Sequence, residues 1–271
     1  MNFLQRLHAV QQRHDSLLCV GLDPEPGKFP HAWRGDAERT FDFCARIVDA
    51  TKDLACAFKP QIAYFAALRA EGQLEQLCAY IRRVAPDVPL ILDAKRGDIG
   101  ATAEQYAREA FERYQADAVT LSPYMGLDSI EPFLRWDGRG VFLLCRTSNP
   151  GGDDLQMQVL ADGERVFERV ARLAGGAWQR EGRVGLVVGA TYPAEIARVR
   201  ELAPGAPLLI PGVGAQGGDA QAAVRAGRRA DGPVVVNSSR AILYASAGDG
   251  FATAAREAAA ATRELLRQAS H

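Results

Sequence analysis

The segment Pro89-Leu-Ile-Leu-Asp-Ala-Lys-Arg-Gly-Asp98 joins a short apolar run to a dense group of charged residues. The unbroken apolar run of residues 89–92 predicts a strand over residues 89–93 that is buried on both faces. A helical pattern follows over residues 102–114, so the charges lie where a strand ends and the chain turns into a helix. The segment therefore predicts one strand-helix unit with its charged residues at the carboxyl end of the strand.

Similar units recur along the whole chain. The predicted strands cover residues 17–22, 55–58, 89–93, 118–121, 140–145, 185–188, 207–210 and 234–237. Segments with helical patterning lie between them, for example residues 61–69, 102–114, 166–180 and 194–201. Strands that alternate with helices are joined by right-handed crossovers, which predicts a parallel sheet. Eight units favour a closed (β/α)8 TIM barrel, although a doubly wound open sheet fits the same alternation.

Polar or glycine-rich residues follow most of the predicted strands, and this pattern favours the barrel. In a barrel these strand ends converge on one face, where barrel enzymes have their active sites. We therefore expect a single α/β domain over residues 1–271 with its site at the carboxyl ends of the strands. An N-terminal helix is predicted over residues 1–14 and an alanine-rich terminal helix over residues 252–261. The long irregular connection 149–163 is a candidate lid over the site.

Composition excludes several classes of function. A formal net charge of −1 gives no support for nucleic-acid binding through a cationic surface. The five cysteines form no CxxC pair and several lie in apolar runs, which indicates free thiols and a reducing, cytoplasmic location. The first 14 residues lack the apolar core of a signal peptide. Since no stretch approaches the roughly 20 apolar residues that span a bilayer, no membrane partner is expected.

Four charged residues form the first candidate for chemistry. Asp93 and Lys95 are two apart at a strand end and should point to the same face. Lys59 ends the preceding strand and should reach Asp93, while Asp98 lies at the turn into the next helix. Alternating charges keep the lysines protonated and the carboxylates ionised, giving a template that could stabilise and protonate a carbanion.

Two other interpretations of these charges remain. A structural ion-pair network sealing one end of the barrel fits them equally well. Arg96-Gly97-Asp98 also spells a tripeptide found in extracellular adhesion proteins, but a strand-end position and the lack of an export signal disfavour that interpretation.

A second candidate site follows strands seven and eight. Residues 212–217 satisfy GxGxxG, but a dinucleotide fingerprint belongs to the first strand-helix turn of a Rossmann unit. Glycine-rich loops after strands seven and eight of a barrel instead bind phosphate through backbone N–H groups. Arg240 would add a bidentate charged contact and Gln216 a neutral donor. A tight turn beside a surface arginine is the structural alternative.

Asp93-Ala-Lys-Arg-Gly-Asp-Ile99 resembles the DxKxxDI signature of the orotidine 5'-monophosphate decarboxylase family, in the form found in its second bacterial subfamily. The resemblance extends over most of the chain. The further matching motifs, in order, are Phe58-Lys-Pro-Gln61, Ser122-Pro-Tyr-Met-Gly126, Cys145-Arg-Thr-Ser-Asn-Pro150, Gly189-Ala-Thr191, Pro211-Gly-Val-Gly-Ala-Gln-Gly-Gly-Asp219 and Asn237-Ser-Ser-Arg240.

The resemblance implies a function and a set of site residues. It implies decarboxylation of orotidine 5'-monophosphate to uridine 5'-monophosphate without a cofactor or metal, in a homodimer with shared active sites. Asp23 would then bind the ribose, although a helix cap is its local alternative. Ser148 would contact the pyrimidine and help to anchor the lid, and Asp98 and Thr102 would reach the partner's site. The implied catalytic residues are Lys59, Asp93, Lys95 and Asp98, and the implied substrate-binding residues are Asp23, Ile99, Thr102, Ser148, Gln216, Ser239 and Arg240.

Three rival functions are compatible with parts of the sequence. A related phosphosugar barrel enzyme, such as a hexulose-phosphate synthase or a keto-acid phosphate decarboxylase, would carry a similar signature and recruit magnesium. A catalytically silent barrel could bind a nucleotide as a sensor. A Schiff-base aldolase could use Lys59 or Lys95, but flanking carboxylates would keep either lysine protonated. The histidines follow no predicted strand, which argues against histidine chemistry and a histidine-bound metal.

Overall fold

A computed structural model describes residues 1–212, 219–229 and 231–269. In these residues eight parallel strands form one sheet in the order β2-β1-β8-β7-β6-β5-β4-β3. Parallel bridges from Phe58 to Leu90 and from Gln61 to Asp93 then join β2 to β3 and close the barrel. The strands are β1 Leu18–Leu22, β2 Ala57–Pro60, β3 Ile91–Arg96, β4 Ala118–Leu121, β5 Gly140–Arg146, β6 Val184–Val188, β7 Leu208–Ile210 and β8 Val234–Ser238.

Helices lie between successive strands and at both ends of the described chain. They are α1 Phe3–His14, α2 Thr40–Thr51, α3 Ile62–Ala66, α4 Glu71–Val84, α5 Gly100–Arg108, α6 Glu131–Leu134, α7 Val166–Gly175, α8 Pro193–Leu202, α9 Ala220–Gly227, α10 Arg240–Leu243 and α11 Phe251–Gln268. This alternation confirms the predicted parallel barrel, and the closed strand order rules out the doubly wound open sheet.

Two apolar layers hold the barrel together. The larger layer packs the outer faces of the strands against the surrounding helices. The smaller layer fills the barrel interior with inward-facing side chains from the strands, including Ile91, Phe142 and Val235. Burial of a side chain of this size contributes about 1.5–3 kcal/mol, so both layers stabilise the closed sheet.

Helix α1 closes the amino end of the barrel. Its Phe3 and Leu7 belong to the interior layer, and the Phe3 ring meets Phe142 edge-on with 5.7 Å between centroids. Gly140 permits this approach, because a Cβ atom there would lie 2.6 Å from the Phe3 ring. The amino end is thus filled, and the carboxyl end is left for a cavity.

Several element boundaries differ from the sequence predictions. Strand β3 extends past Asp93 to Arg96, since its last residues follow a bulge that the apolar pattern does not reveal. The helix predicted over residues 102–114 is α5 followed by a π-helical turn at Glu109–Arg113. Helix α7 ends at Gly175 instead of residue 180, and the terminal helix α11 is longer than its alanine-rich part.

Candidate active site

A cavity of about 520 Å³ opens at the carboxyl ends of the strands. Its position agrees with the expected location of a barrel active site. The lining residues come from several strand ends: Asp23, Lys59, Asp93, Lys95, Leu144, Thr147, Ser148, Asn149, Gln156, Val187, Pro211, Gly212, Asn237, Ser239 and Arg240. The residues predicted from the sequence that line it are therefore Asp23, Lys59, Asp93, Lys95, Ser148, Ser239 and Arg240.

Three charged side chains, connected by hydrogen bonds, form one wall of the cavity. Lys59 Nζ donates to Asp93 Oδ2 at 2.7 Å, and Lys95 Nζ donates to Asp93 Oδ1 at 2.6 Å. The side chains of Lys59 and Asp93 are 4% and 9% exposed, whereas Lys95 is 46% exposed and faces the cavity. One carboxylate therefore holds a buried ammonium and an accessible one.

The protonation states of Lys59 and Asp93 follow from this contact. Burial by itself would raise the pKa of Asp93, but the charges and hydrogen bonds of Lys59 and Lys95 hold it well below its ordinary value. Burial would lower the pKa of Lys59, but the carboxylates of Asp93 and Asp23 raise it above its ordinary value. Around neutral pH the array holds Asp93 ionised and Lys59 protonated, as the sequence predicts.

Lys95 does not reach Asp93 by the simple alternation expected of a strand. Its φ angle is +49°, in the left-handed region that non-glycine residues rarely adopt. Leu92 pairs with Val119 and Arg96 with Leu121, so β3 uses four residues where β4 uses two. Asp93 and Lys95 both line the cavity as expected, but they do so through this bulge and not through the alternation of a regular strand.

Thr120, on β4, was missed by the sequence interpretation although it contacts the bulge directly. Its Oγ1 accepts the N–H groups of Ala94 and Lys95 at 3.0 Å each and donates to Asp93 Oδ1 at 2.9 Å. Thr120 is 1% exposed and does not line the cavity. A threonine in an apolar strand gives no local signal of such a contact.

The opposite side of the cavity lies at the ends of β7 and β8. Gly212 has a φ of +96°, and Ser239 and Arg240 follow β8 directly, with Arg240 exposed at the rim. Gly21 makes room for this region, because a Cβ atom there would lie 1.9 Å from Ser239 Oγ. Gln216 and residues 213–218 of the predicted phosphate loop lie outside the described residues.

Two residues that line the cavity each carry a buried oxygen atom with no protein partner among the described residues. The two atoms are Oδ1 of Asp23, after β1, and Oδ1 of Asn237, near the end of β8. Asn237 is 7% exposed and donates through Nδ2 to Ser239 Oγ at 3.2 Å. A buried acceptor without a partner costs free energy, so a ligand hydroxyl or a water is the natural donor. In the sequence, Asn237 stands out only as part of the motif Asn237-Ser-Ser-Arg240.

The candidate lid begins beside the cavity. Residues Pro150–Asp154 form a 3₁₀ helix, and Gln156 accepts the N–H of Thr147 at 2.8 Å. Asp153 pairs with the buried Arg146 at 2.6 Å, and the Arg146 guanidinium lies 4.1 Å from the ring centroid of Tyr192. These contacts connect the segment to the end of β5.

Three predicted site residues lie outside this cavity. Asp98 accepts the N–H of Ile99 at 2.8 Å and forms no ion pair within the described part of the chain. Ile99 is 53% exposed, and Thr102 lies exposed on the first turn of α5. In a single chain these residues form an outer rim beside the charged wall.

Two kinds of feature are absent from residues 1–212, 219–229 and 231–269. No group of three or more His, Cys, Asp or Glu side chains there could hold a metal ion. None of the helices in the same residues combines the length and apolar content needed to cross a bilayer.

Comparisons with known proteins agree with this architecture. A profile of the family described as Orotidine 5'-phosphate decarboxylase / HUMPS family matches residues 16–257. The orotidine 5'-phosphate decarboxylase of Leptothrix cholodnii is 72% identical and covers 100% of this chain and 98% of its own. That of Paracidovorax citrulli is also 72% identical, with 99% of each chain covered. The solved orotidine monophosphate decarboxylase of Leishmania donovani superposes with a TM-score of 0.81 at 40% identity, covering 97% of this chain and 99% of that chain.

Proposed function

The chain belongs to the orotidine 5'-phosphate decarboxylase / HUMPS family and decarboxylates orotidine 5'-monophosphate to uridine 5'-monophosphate; from this premise we propose how its cavity does so. The observation that carries the proposal is the Lys59-Asp93-Lys95 array, held in one cavity opposite the ends of β7 and β8. The reaction is a carboxy-lyase step in pyrimidine nucleotide biosynthesis.

Substrate binding uses the two sides of the cavity differently. The phosphate binds Arg240, Gln216 and the backbone of the loop that begins at Gly212, where charge and N–H groups suit an anion. The ribose hydroxyls donate to the unpartnered oxygens of Asp23 and Asn237, with Lys59 nearby. Ser148 contacts the pyrimidine ring and Ser239 completes the binding surface within one chain. Ile99, at the outer rim, would contact substrate in the partner's site.

The chemistry occurs at the charged wall. Asp93 lies near the substrate carboxylate, and repulsion between the two anions is relieved as carbon dioxide leaves. The bond from C6 to the carboxyl carbon breaks and its electron pair stays on C6, where the Lys95 ammonium stabilises it. Lys95 then transfers its proton to C6 and regains one from water. No cofactor or metal takes part.

Binding energy from the phosphate contributes to the rate. The phosphate does not react, so its contacts can favour closure of residues 149–163 over the cavity and exclude water. The ion pair of Arg146 with Asp153 supports this role because it connects the lid to β5, a strand that lines the cavity. Along the chain, Ser148 lies between the end of β5 and the start of the lid.

The working enzyme is a cytoplasmic homodimer. The large apolar side chains of Ile99, Tyr124 and Met125 are 53%, 81% and 42% exposed on the loops after β3 and β4, which suits a subunit interface. Asp98 and Thr102 on the same rim would enter the partner's site, where Asp98 together with Lys59 would hold Asp93 and Lys95 in position. All five cysteines are free and buried, which fits a reducing compartment.

The activity is tested by following the ultraviolet absorbance of orotidine 5'-monophosphate with purified protein. We expect the pyrimidine spectrum to change to that of uridine 5'-monophosphate, at a rate that EDTA leaves unaltered. Loss of activity on chelation that added metal restores would overturn the cofactor-free mechanism.

The shared site is tested by mixing two inactive variants, Lys95→Ala and Asp98→Ala. If each site takes Lys95 from one chain and Asp98 from the other, half of the chains pair as heterodimers with one intact site, restoring about a quarter of wild-type activity. Differently tagged chains verify subunit exchange. No recovery despite complete exchange would show that Asp98 acts within its own chain or not at all.

A further inference from the structure

Thr120 Oγ1 makes three hydrogen bonds that use the full capacity of a hydroxyl group. It accepts the N–H groups of Ala94 and Lys95, and it donates its proton to Asp93 Oδ1. A hydroxyl has one proton and two lone pairs, so these three partners occupy its donor and both of its acceptor positions. The donor direction is therefore fixed towards the carboxylate.

The two amides that Thr120 accepts belong to the bulge. The shift in pairing between Leu92 and Arg96 removes Ala94 and Lys95 from the regular ladder with β4. Partly buried backbone N–H groups without an acceptor are costly, and the left-handed φ of Lys95 adds backbone strain. The threonine hydroxyl supplies the acceptor that the bulge lacks.

We propose that Thr120 is a positioning residue that holds the bulge of β3 in the conformation aiming Lys95 at the substrate and keeps Asp93 oriented between the two lysines. It acts through Asp93 and Lys95 and does not touch the substrate, because it lies beneath the cavity wall. The inference rests on the proposed function of Lys95 as the proton donor.

A purely structural role predicts different behaviour. If Thr120 only filled space, valine, which has nearly the same shape, would replace it with little effect. If its hydroxyl positions the bulge, valine leaves two amides without an acceptor and removes one donor from Asp93. Lys95 would then spend more time away from C6, so kcat would fall while the phosphate side still binds substrate.

The test compares Thr120→Val and Thr120→Ser with Thr51→Val as the matched control. Thr51 is a fully buried threonine whose hydroxyl donates to Ile47 O within α2. We expect Thr120→Val to lower kcat about 10- to 100-fold, the loss typical of a small misplacement, with KM changed by less than about 3-fold. Serine should recover most of kcat, and Thr51→Val should retain wild-type kcat.

A second measurement does not depend on activity. Amide hydrogen exchange at Ala94 and Lys95 should accelerate at least about 10-fold in Thr120→Val relative to other β3 amides, and return towards wild type with serine. Valine with unchanged kcat, serine no better than valine, or unchanged exchange at both amides would each overturn the inference. Retained turnover in Lys95→Ala would overturn the proposed function instead, so the two failures are distinguishable.

Discussion

Two buried aspartates at opposite ends of the barrel have similar charged partners but differ in their access to the cavity. Asp93, at the carboxyl end of β3, contacts Lys59 and Lys95 beside an open cavity. Asp117, just before β4, contacts Arg6 at 3.1 Å, Arg82 at 2.7 Å and Arg139 at 3.3 Å, and it accepts the Leu90 N–H at 2.8 Å. Each carboxylate is therefore surrounded by basic side chains at one end of a strand.

The cations and the neighbouring space distinguish the two clusters. Arginine remains protonated in proteins and binds carboxylates through a planar fork, which suits a permanent connection. Lysine can transfer its proton, and the 46% exposed Lys95 faces a cavity where a substrate can receive it. The backbone around Lys95 is also in a left-handed conformation. Charge density alone therefore does not identify a catalytic cluster.

The sharpest separation of the two clusters comes from Lys95→Ala. Loss of the proposed proton donor should lower kcat by about 10⁴-fold, equivalent to roughly 5 kcal/mol of transition-state stabilisation. Binding of uridine 5'-monophosphate, measured by calorimetry, should remain detectable because the phosphate contacts are unchanged. Lys52→Ala, which removes an exposed lysine paired with Asp49, is the control and should retain full activity. Near-normal turnover without Lys95 would contradict the mechanism.

The opposite pattern is expected for Asp117→Asn. Three arginines would lose their counter-charge, so the free energy of unfolding should fall by about 3 kcal/mol in denaturant titrations. Activity per folded molecule should stay within about twofold, since the change lies at the amino end. Asp87→Asn disrupts an exposed pair with Arg13 and should cost less than about 1 kcal/mol. A large loss of kcat in Asp117→Asn at unchanged stability would break the distinction between the clusters.

The smallest expected effect concerns pH. The pKa of Asp93 is lowered in the folded state, so its stabilising contribution is complete above the unfolded value near 4 and is lost as the pH falls through the folded pKa. The pKa of Lys59 is raised, so its contribution is complete below the unfolded value of about 10.4 and is lost only at higher pH. The difference in unfolding free energy between wild type and Asp93→Asn should be constant from about pH 5 to pH 9 and shrink below pH 4. A difference that changes near neutral pH would contradict these ionisation states.

The positions of the strands could be predicted from the sequence because they depend on local periodicity. Strands buried on both faces are unbroken apolar runs, and all eight predicted runs overlap the observed strands. The convergence of Lys59, Asp93 and Lys95 was also predictable, since neighbouring parallel strands bring their carboxyl ends together. The roles of Asp98, Ile99 and Thr102 stay predictions, because their proposed partner is a second chain.

What the sequence alone determined is therefore the order of strands and helices and the end of the barrel where the charges of β3 meet those of β2. Tertiary structure alone decided the bulge at Lys95, its contact with Thr120, and the separation of an open cluster at Asp93 from a sealed one at Asp117. The physical reason is that apolar periodicity reports which face of a strand is buried. The hydroxyl that accepts the Lys95 N–H comes from the next strand, and the access of water and substrate depends on how the whole barrel closes.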